Sequence, residues 1–168
     1  KIDGVMHEFQ TIDGVVEDVT AIILNLKNIV VKKHVEEDKV LHLTVNEERV
    51  VTAADIETDA DVEIINKDQV IATLSKGGKL DMEFIVSSGR GYVPSNENKK
   101  FAENSKLGFI PIDALYSPIE RISYDVDNAR VGQDASYDKL IMNVETNGSI
   151  KPEEAMALAA KIIIEHLN

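Results

Sequence analysis

Between residues 89 and 132 the chain changes character, and that stretch separates a longer amino-terminal part from a shorter carboxy-terminal one. Gly89-Arg90-Gly91-Tyr92-Val93-Pro94 closes a strand-like run. Gly89 and Gly91 loosen the backbone and Pro94 lacks an amide donor, so a helix cannot run through this segment. Pro118 biases Ser117 toward extended backbone. Beyond it, Ile122, Tyr124 and Val126 alternate with charged or hydroxyl residues, the two-residue period of a strand that leaves in a new direction. The stretch reads as a hinge between two units, residues 1–117 and 118–168, with a polar loop at 97–106 between its apolar rims.

The first unit has one clear helical pattern. From 13 to 30, Val15, Val16, Val19, Ile22, Ile23, Leu26 and Ile29 recur at three-and-four spacing. Glu17 and Asp18 fall in the expected first turn and Lys27 in the last, both favourable to the helix dipole. Residues 1–9 read as a strand with Ile2 and Val5 apolar. Short strand patterns then cover 40–45, 49–52, 62–65, 70–74 and 80–86, separated by turns such as Asn66-Lys67-Asp68 and Lys76-Gly77-Gly78. One helix followed by a run of strands predicts an α+β class, antiparallel and strand-rich in the first unit.

The second unit is smaller. Residues 139–145 read as a strand and Asn147-Gly148 as a turn. Pro152 suits the first position of a helix and is followed by Glu153 and Glu154. That helix runs to about 167 and is apolar nearly all round, with Met156, Ile162 and Ile163 among its residues. A helix apolar on two sides must bury both. Two strands cannot cover it, so either another protein does or part of this unit lies outside these 168 residues. The expectation is a partial α+β unit made of strands and a carboxy-terminal helix.

Chemistry leaves few marks. The formal charge is −12, and the 18 Lys and Arg are scattered, the densest pairs being Lys32-Lys33 and Lys99-Lys100. Such a surface repels phosphate backbones, so direct DNA contact is not expected. There is no cysteine, which excludes disulfides, thiolate metal sites and cysteine nucleophiles and is compatible with a reducing cytoplasm. No apolar run approaches the roughly 20 residues of a membrane helix. His7, His34, His42 and His166 lie in separate elements without metal-ligand spacing. The ladder Asp55, Glu57, Asp59, Asp61 and Glu63 would put five carboxylates on one face of a strand, where a Mg²⁺ or Ca²⁺ ion could sit. A solvated, edge-protecting face is the plainer account. Gly89-Arg90-Gly91 lacks the third glycine of a dinucleotide loop and no helix signal comes after it. No Gly-x-Ser-x-Gly elbow is present. No catalytic grouping and no cofactor is expected.

Several segments, taken together and in order, are specific. GVMHEF (4–9), VVEDVTAIILNLK (15–27), VTAADI (51–56), DVEII (61–65), GRGYVP (89–94), DALYSPIERISYDV (113–126), NARVGQ (128–133), YDKL (137–140) and ETNGSIKPEEA (145–155) span almost the whole chain. In this order they resemble the bacterial RNA polymerase alpha subunit family, and the chain looks like the amino-terminal half of a Gram-positive-type member. The resemblance implies a non-catalytic assembly scaffold of a nucleotidyltransferase, acting in transcription in the bacterial cytoplasm. Its partners would be a second alpha subunit and the beta and beta-prime subunits, the latter two carrying the catalytic aspartates and the metal. Residues 1–117 would be the insert domain and 118–168 the remainder of the dimerisation domain. The family's first strand and dimerisation helix, and its DNA-binding carboxy-terminal domain, would lie outside this chain. Poor or non-native dimerisation is expected of the chain alone.

Carried over by motif, Lys27 matches a position implicated in binding a larger subunit. Ile112, Ile119 and Lys139 match positions implicated in beta-prime docking. Met156, Ile162 and Ile163 would belong to the dimer or its cover. Each also has a plainer account: Lys27 could serve only the helix dipole, Ile112 and Ile119 the core, and Lys139 a solvated strand end. The activator-contacting acidic cluster of some family members is not matched at 99–106, where Glu103 stands among lysines.

Overall fold

The computed structural model describes residues 1–104, 108–132 and 134–167. The class is mixed α+β, and the chain divides into two compact units, Lys1–Tyr116 and Ser117–Asn168.

In the first unit, helix α1 (Val19–Lys27) sits on antiparallel pairs of short strands. These are β1 (Val31–Lys33) with β4 (Val62–Ile64), β2 (Lys39–Val45) with β6 (Leu80–Val86), and β3 (Val50–Thr52) with β5 (Val70–Thr73). Strict alternation drives the longest pair. Leu41, Leu43 and Val45 of β2 are buried while Val40, His42 and Thr44 face outward, and Met82 and Leu80 of β6 stand beside Leu43 and Val45 on the same buried face. Val19 and Ile22 of α1 are fully buried, with Ile23, Leu26 and Ile29 packed against the same cluster. Each such side chain withdrawn from water contributes about 1.5–3 kcal/mol.

Helix α1 starts later than its periodicity predicts. Asp18 caps it by accepting from the Ala21 amide at 2.7 Å, so Asp18 precedes the first turn. Glu17 is drawn away to β5, accepting from the Thr73 amide at 2.6 Å and its hydroxyl at 3.0 Å. Val15 bridges to Leu74, and Val16 lies largely in solvent. Pairing with β5 thus overrides helical spacing at 13–18. The predicted strand at 1–9 also does not form. Gly4 turns the chain at a φ of 76°, so Ile2 and Val5 reach the core while only Ile2 makes a β-bridge, to Met82.

The acidic ladder is not one strand either. Asp55 ends a 3-10 turn (Ala53–Asp55), Glu57 bridges to His42, and only Glu63 lies in β4. The polar stretch after Pro94 is helical where the sequence suggested a loop with no helix signal. Helix α2 covers Ser95–Asn104, and the Pro94 carbonyl accepts from the Glu97 amide at 3.0 Å. Pro94 stops the strand β7 (Tyr92–Val93) and also launches this helix, with Glu97 in its first turn. Residues 105–107 of the expected loop lie outside the described residues. Strand β8 (Ala114–Leu115) returns antiparallel to β7.

The second unit is a long hairpin, β9 (Ile119–Val131) and β10 (Asp134–Thr146), followed by helix α3 (Pro152–Leu167). The turn before α3 is tied in place. Asn147 donates its amide to the Pro118 carbonyl at 2.9 Å, and its side-chain oxygen accepts from the Ser149 amide and hydroxyl. None of the residues of this unit whose burial is described is buried.

Candidate functional site

Two surfaces stand out. The first is built on the end of α1 and the β7–β8 ladder. Lys27 closes α1, and the backbone just beyond it is clamped by Asn66. That side chain accepts from the Val30 amide and donates to the Asn28 carbonyl, each at 2.8 Å. From this fixed point the Lys27 ammonium reaches the Asp113 carboxylate. The Lys27 partner and the hydroxyl of Tyr92 together hold the Asp113 carboxyl below the usual carboxylate range, the lysine contributing most.

The segment carrying Asp113 is anchored on both sides. The Asn98 side chain of α2 donates its Nδ2 to the Ile112 carbonyl at 2.8 Å, and the Tyr116 backbone amide donates to the Gly91 carbonyl at 2.8 Å. The Tyr116 ring lies where a side chain at 89 would project, 2.5 Å from an added Cβ, which is why that position is glycine. The Tyr116 hydroxyl meets the Ser87 hydroxyl at 2.6 Å. On this braced ladder Tyr92 and Leu115 stand directly opposite each other, and both are exposed. Directly opposed residues of an antiparallel pair share one face. Lys27, Ile112, Asp113, Tyr92 and Leu115 therefore belong to one rigid group, an ion pair beside an exposed apolar pair.

The second surface is the hairpin with α3. The register pairs Ile122 with Val144, Tyr124 with Met142 and Val126 with Leu140. By the same rule these six apolar residues line one face. Tyr124 is 71% exposed and Leu140 61%, and only Met142 and Val144 are half-buried. The opposite face is mostly polar, with Ile141 and Tyr137 as its large apolar members. Arg121 pairs with Glu145 at 3.1 Å, Ser123 meets Asn143, and Lys139 stands opposite Asp127. Ile119 opens β9 opposite Thr146 and is half-buried.

Helix α3 adds to the uncovered surface. Met156 and Ile163 lie seven residues apart on one side, and Leu158 and Ile162 lie four apart on the other. All four are exposed, as are Ile164 and Leu167. An apolar ladder and a helix uncovered on both sides exceed what a free-standing soluble unit ordinarily presents. A two-stranded hairpin is at best marginally stable alone. The chemistry available here is apolar contact with rim charges. No helix among the described residues is long and apolar enough to cross a membrane.

Of the expected positions, Lys27 and Ile112 are brought together through Asp113. Ile119 and Lys139 lie in the other unit, Lys139 as a solvated member of the polar face, and Met156, Ile162 and Ile163 share α3. Asp113, Tyr92 and Leu115 are not among the positions the sequence points to. Their grouping rests on an ion pair and a strand register that no local spacing records. Three of the five acidic-ladder carboxylates, Asp55, Asp59 and Asp61, pair with a lysine or arginine. Arg49 grips Asp55 with two bonds of 2.8 Å, and the Thr52 amide adds a third of 2.9 Å. Lys39 binds Asp61 and Asp59, while His34 lies 3.7 Å from Glu63.

Residues 1–117 match the family described as RNA polymerase Rpb3/RpoA insert domain. The chain is 56% identical over 167 residues to the DNA-directed RNA polymerase subunit alpha of Moorella thermoacetica, covering 99% of the chain and 53% of that protein. It is 55% identical over 168 residues to the subunit of that name from Oceanobacillus iheyensis, covering 100% of the chain and 53% of that protein. With the Staphylococcus saprophyticus subunit it shares 52% over 168 residues, again covering 100% of the chain and 53% of the relative. The chain thus spans about half the length of the curated relatives it matches.

Proposed function

The chain belongs to the bacterial DNA-directed RNA polymerase alpha-subunit family, and we propose that it serves as a non-catalytic assembly scaffold in transcription. On this proposal it pairs with a second copy and recruits the beta and beta-prime subunits, which supply the nucleotidyl-transfer chemistry in the cytoplasm. The observation that carries it is the second unit, which has no buried residue among those whose burial is described, an apolar cross-strand ladder, and a helix uncovered on both sides. An element of this kind is stable only when something else covers it.

Within this proposal residues 1–117 form the insert domain and 118–168 part of the dimerisation domain. Met156, Ile162 and Ile163 serve the dimer and its cover. Lys27, Ile112, Ile119 and Lys139 serve docking to the larger subunits. Lys27 and Ile112 are supported by their shared bracing through Asp113, and Ile119 by its place at the foot of the exposed hairpin. The charge of −12 supports a role without DNA contact for this part of the protein.

Co-purification tests the proposal. A version extended to the length of its relatives is expressed with the beta and beta-prime subunits of the same bacterium, with a tag on the chain. Retention of both subunits is expected; their absence from the eluate contradicts the scaffold role.

A further inference from the structure

We propose that Asp113 is a positioning residue for subunit docking: it holds the Lys27 ammonium over the rigid Ile112–Leu115 segment, where a partner carboxylate joins that ammonium while an apolar partner side chain covers Tyr92 and Leu115. The inference rests on the docking role proposed for Lys27 and adds the residue that aims it and the chemistry of what it meets.

Both ends of the pair are braced before any partner arrives. Asn66 fixes the chain just beyond Lys27, and Asn98 and the β7–β8 ladder fix the chain around Asp113. A lysine stem left to itself samples many rotamers, and ordering it at an interface costs binding free energy. Asp113 meets that cost in the free protein. The ammonium is not saturated: it has three donors, and Asp113 is its only ion-pair partner among the described residues. The two side chains are 33% and 31% exposed, so an incoming acceptor reaches the ammonium without breaking the pair. Beside it, Tyr92 at 61% and Leu115 at 72% exposure form a flat apolar pair on the ladder. An apolar contact with a charged pair at its rim is the ordinary anatomy of a specific interface.

The experiment uses the chain extended to the length of its relatives and measures its affinity for the beta and beta-prime subunits at several salt concentrations. Four variants are compared: D113N, D113E, K27M and D113N/K27M. D113N is expected to weaken binding about fivefold, with a melting temperature lowered by only a few degrees. D113E is expected to recover most of the loss. K27M weakens binding at least as much and flattens the salt dependence, and D113N adds nothing on that background. Wild-type affinity for D113N, or full additivity with K27M, overturns the positioning role while leaving Lys27 as a docking residue. Wild-type affinity for K27M removes the docking role of Lys27 itself, and with it this inference.

Discussion

The Lys27 ammonium and the Asp113 carboxylate meet in an ion pair that ties the last residue of α1 to the segment leading into β8. The contact joins two parts of the first unit that are far apart in the chain and sets one docking candidate beside another. Its carboxyl is held low chiefly by that lysine. The stabilisation it gives is present above the ordinary carboxylate pKa and is lost as pH falls through the depressed one. We expect the wild-type fold to lose more stability than D113N over that acid range, in denaturant titrations at stepped pH.

Asp55 is expected to show the same sign more strongly, because it accepts both Arg49 bonds and the Thr52 amide and is only 18% exposed. Its carboxyl is depressed chiefly by Arg49. Asp55→Asn should cost roughly 1–3 kcal/mol at neutral pH, the range of hydrogen bonds to charged groups. That cost should shrink as pH falls through the depressed carboxyl range, since the wild-type group then loses its charge too. Urea unfolding at pH 7 and in acid checks both statements.

At Gly14 and Gly78 two backbones cross. A Cβ on Gly14 would lie 2.4 Å from the Gly78 Cα, and one on Gly78 would lie 2.2 Å from the Gly14 carbonyl oxygen. Gly78→Ala should cost roughly 3 kcal/mol or prevent folding, since backbone cannot yield as a side chain does. Gly77→Ala meets nothing within 4 Å and carries only the strain of its φ of 81°, about 1 kcal/mol. Melting temperatures of the two variants separate clash from strain.

Core and surface leucine-class residues should part in the same way. Leu43 of β2 is fully buried, and Leu43→Ala is expected to cost about 2–5 kcal/mol. Ile163 of α3 is 59% exposed, and Ile163→Ala should change the stability of this chain by less than about 0.5 kcal/mol. A large effect of Ile163→Ala on the isolated chain would mean that α3 is already covered.

Polar substitution on the apolar hairpin face should improve behaviour in isolation. Tyr124→Thr with Val126→Thr removes exposed apolar area from β9 while keeping its strand character. We expect less binding of a hydrophobic dye and less self-association, with an unchanged circular dichroism spectrum.

Much of this architecture is legible in the residues, and the failures have physical causes. The strand at 80–86 and the helix at 152–167 are found where alternation and Pro152 place them, because local pattern and tertiary packing agree there. At 13–18 they disagree: Glu17 has better partners on Thr73 than a helix dipole offers. Pro94 carries two messages, a strand stop and a helix start, and only the first is plain from its neighbours in the chain. The carboxylates at 55–63 look like a ladder only if the backbone stays extended, which the 3-10 turn prevents. Lys27 and Ile112 are reached through motif resemblance. That Asp113 connects them depends on how α1 meets the β7–β8 ladder, a relationship that no spacing along the chain encodes.

The most direct test of the scaffold account is the native mass of the assembly formed by the extended chain with beta and beta-prime. It is measured for the wild type and for a variant carrying Tyr124→Asp and Ile163→Glu. The account predicts a complex holding two copies of the chain with both large subunits, and its loss in the variant, because charge then sits on both faces that need covering. A variant that assembles as the wild type does, or a wild type that binds neither subunit, would contradict it.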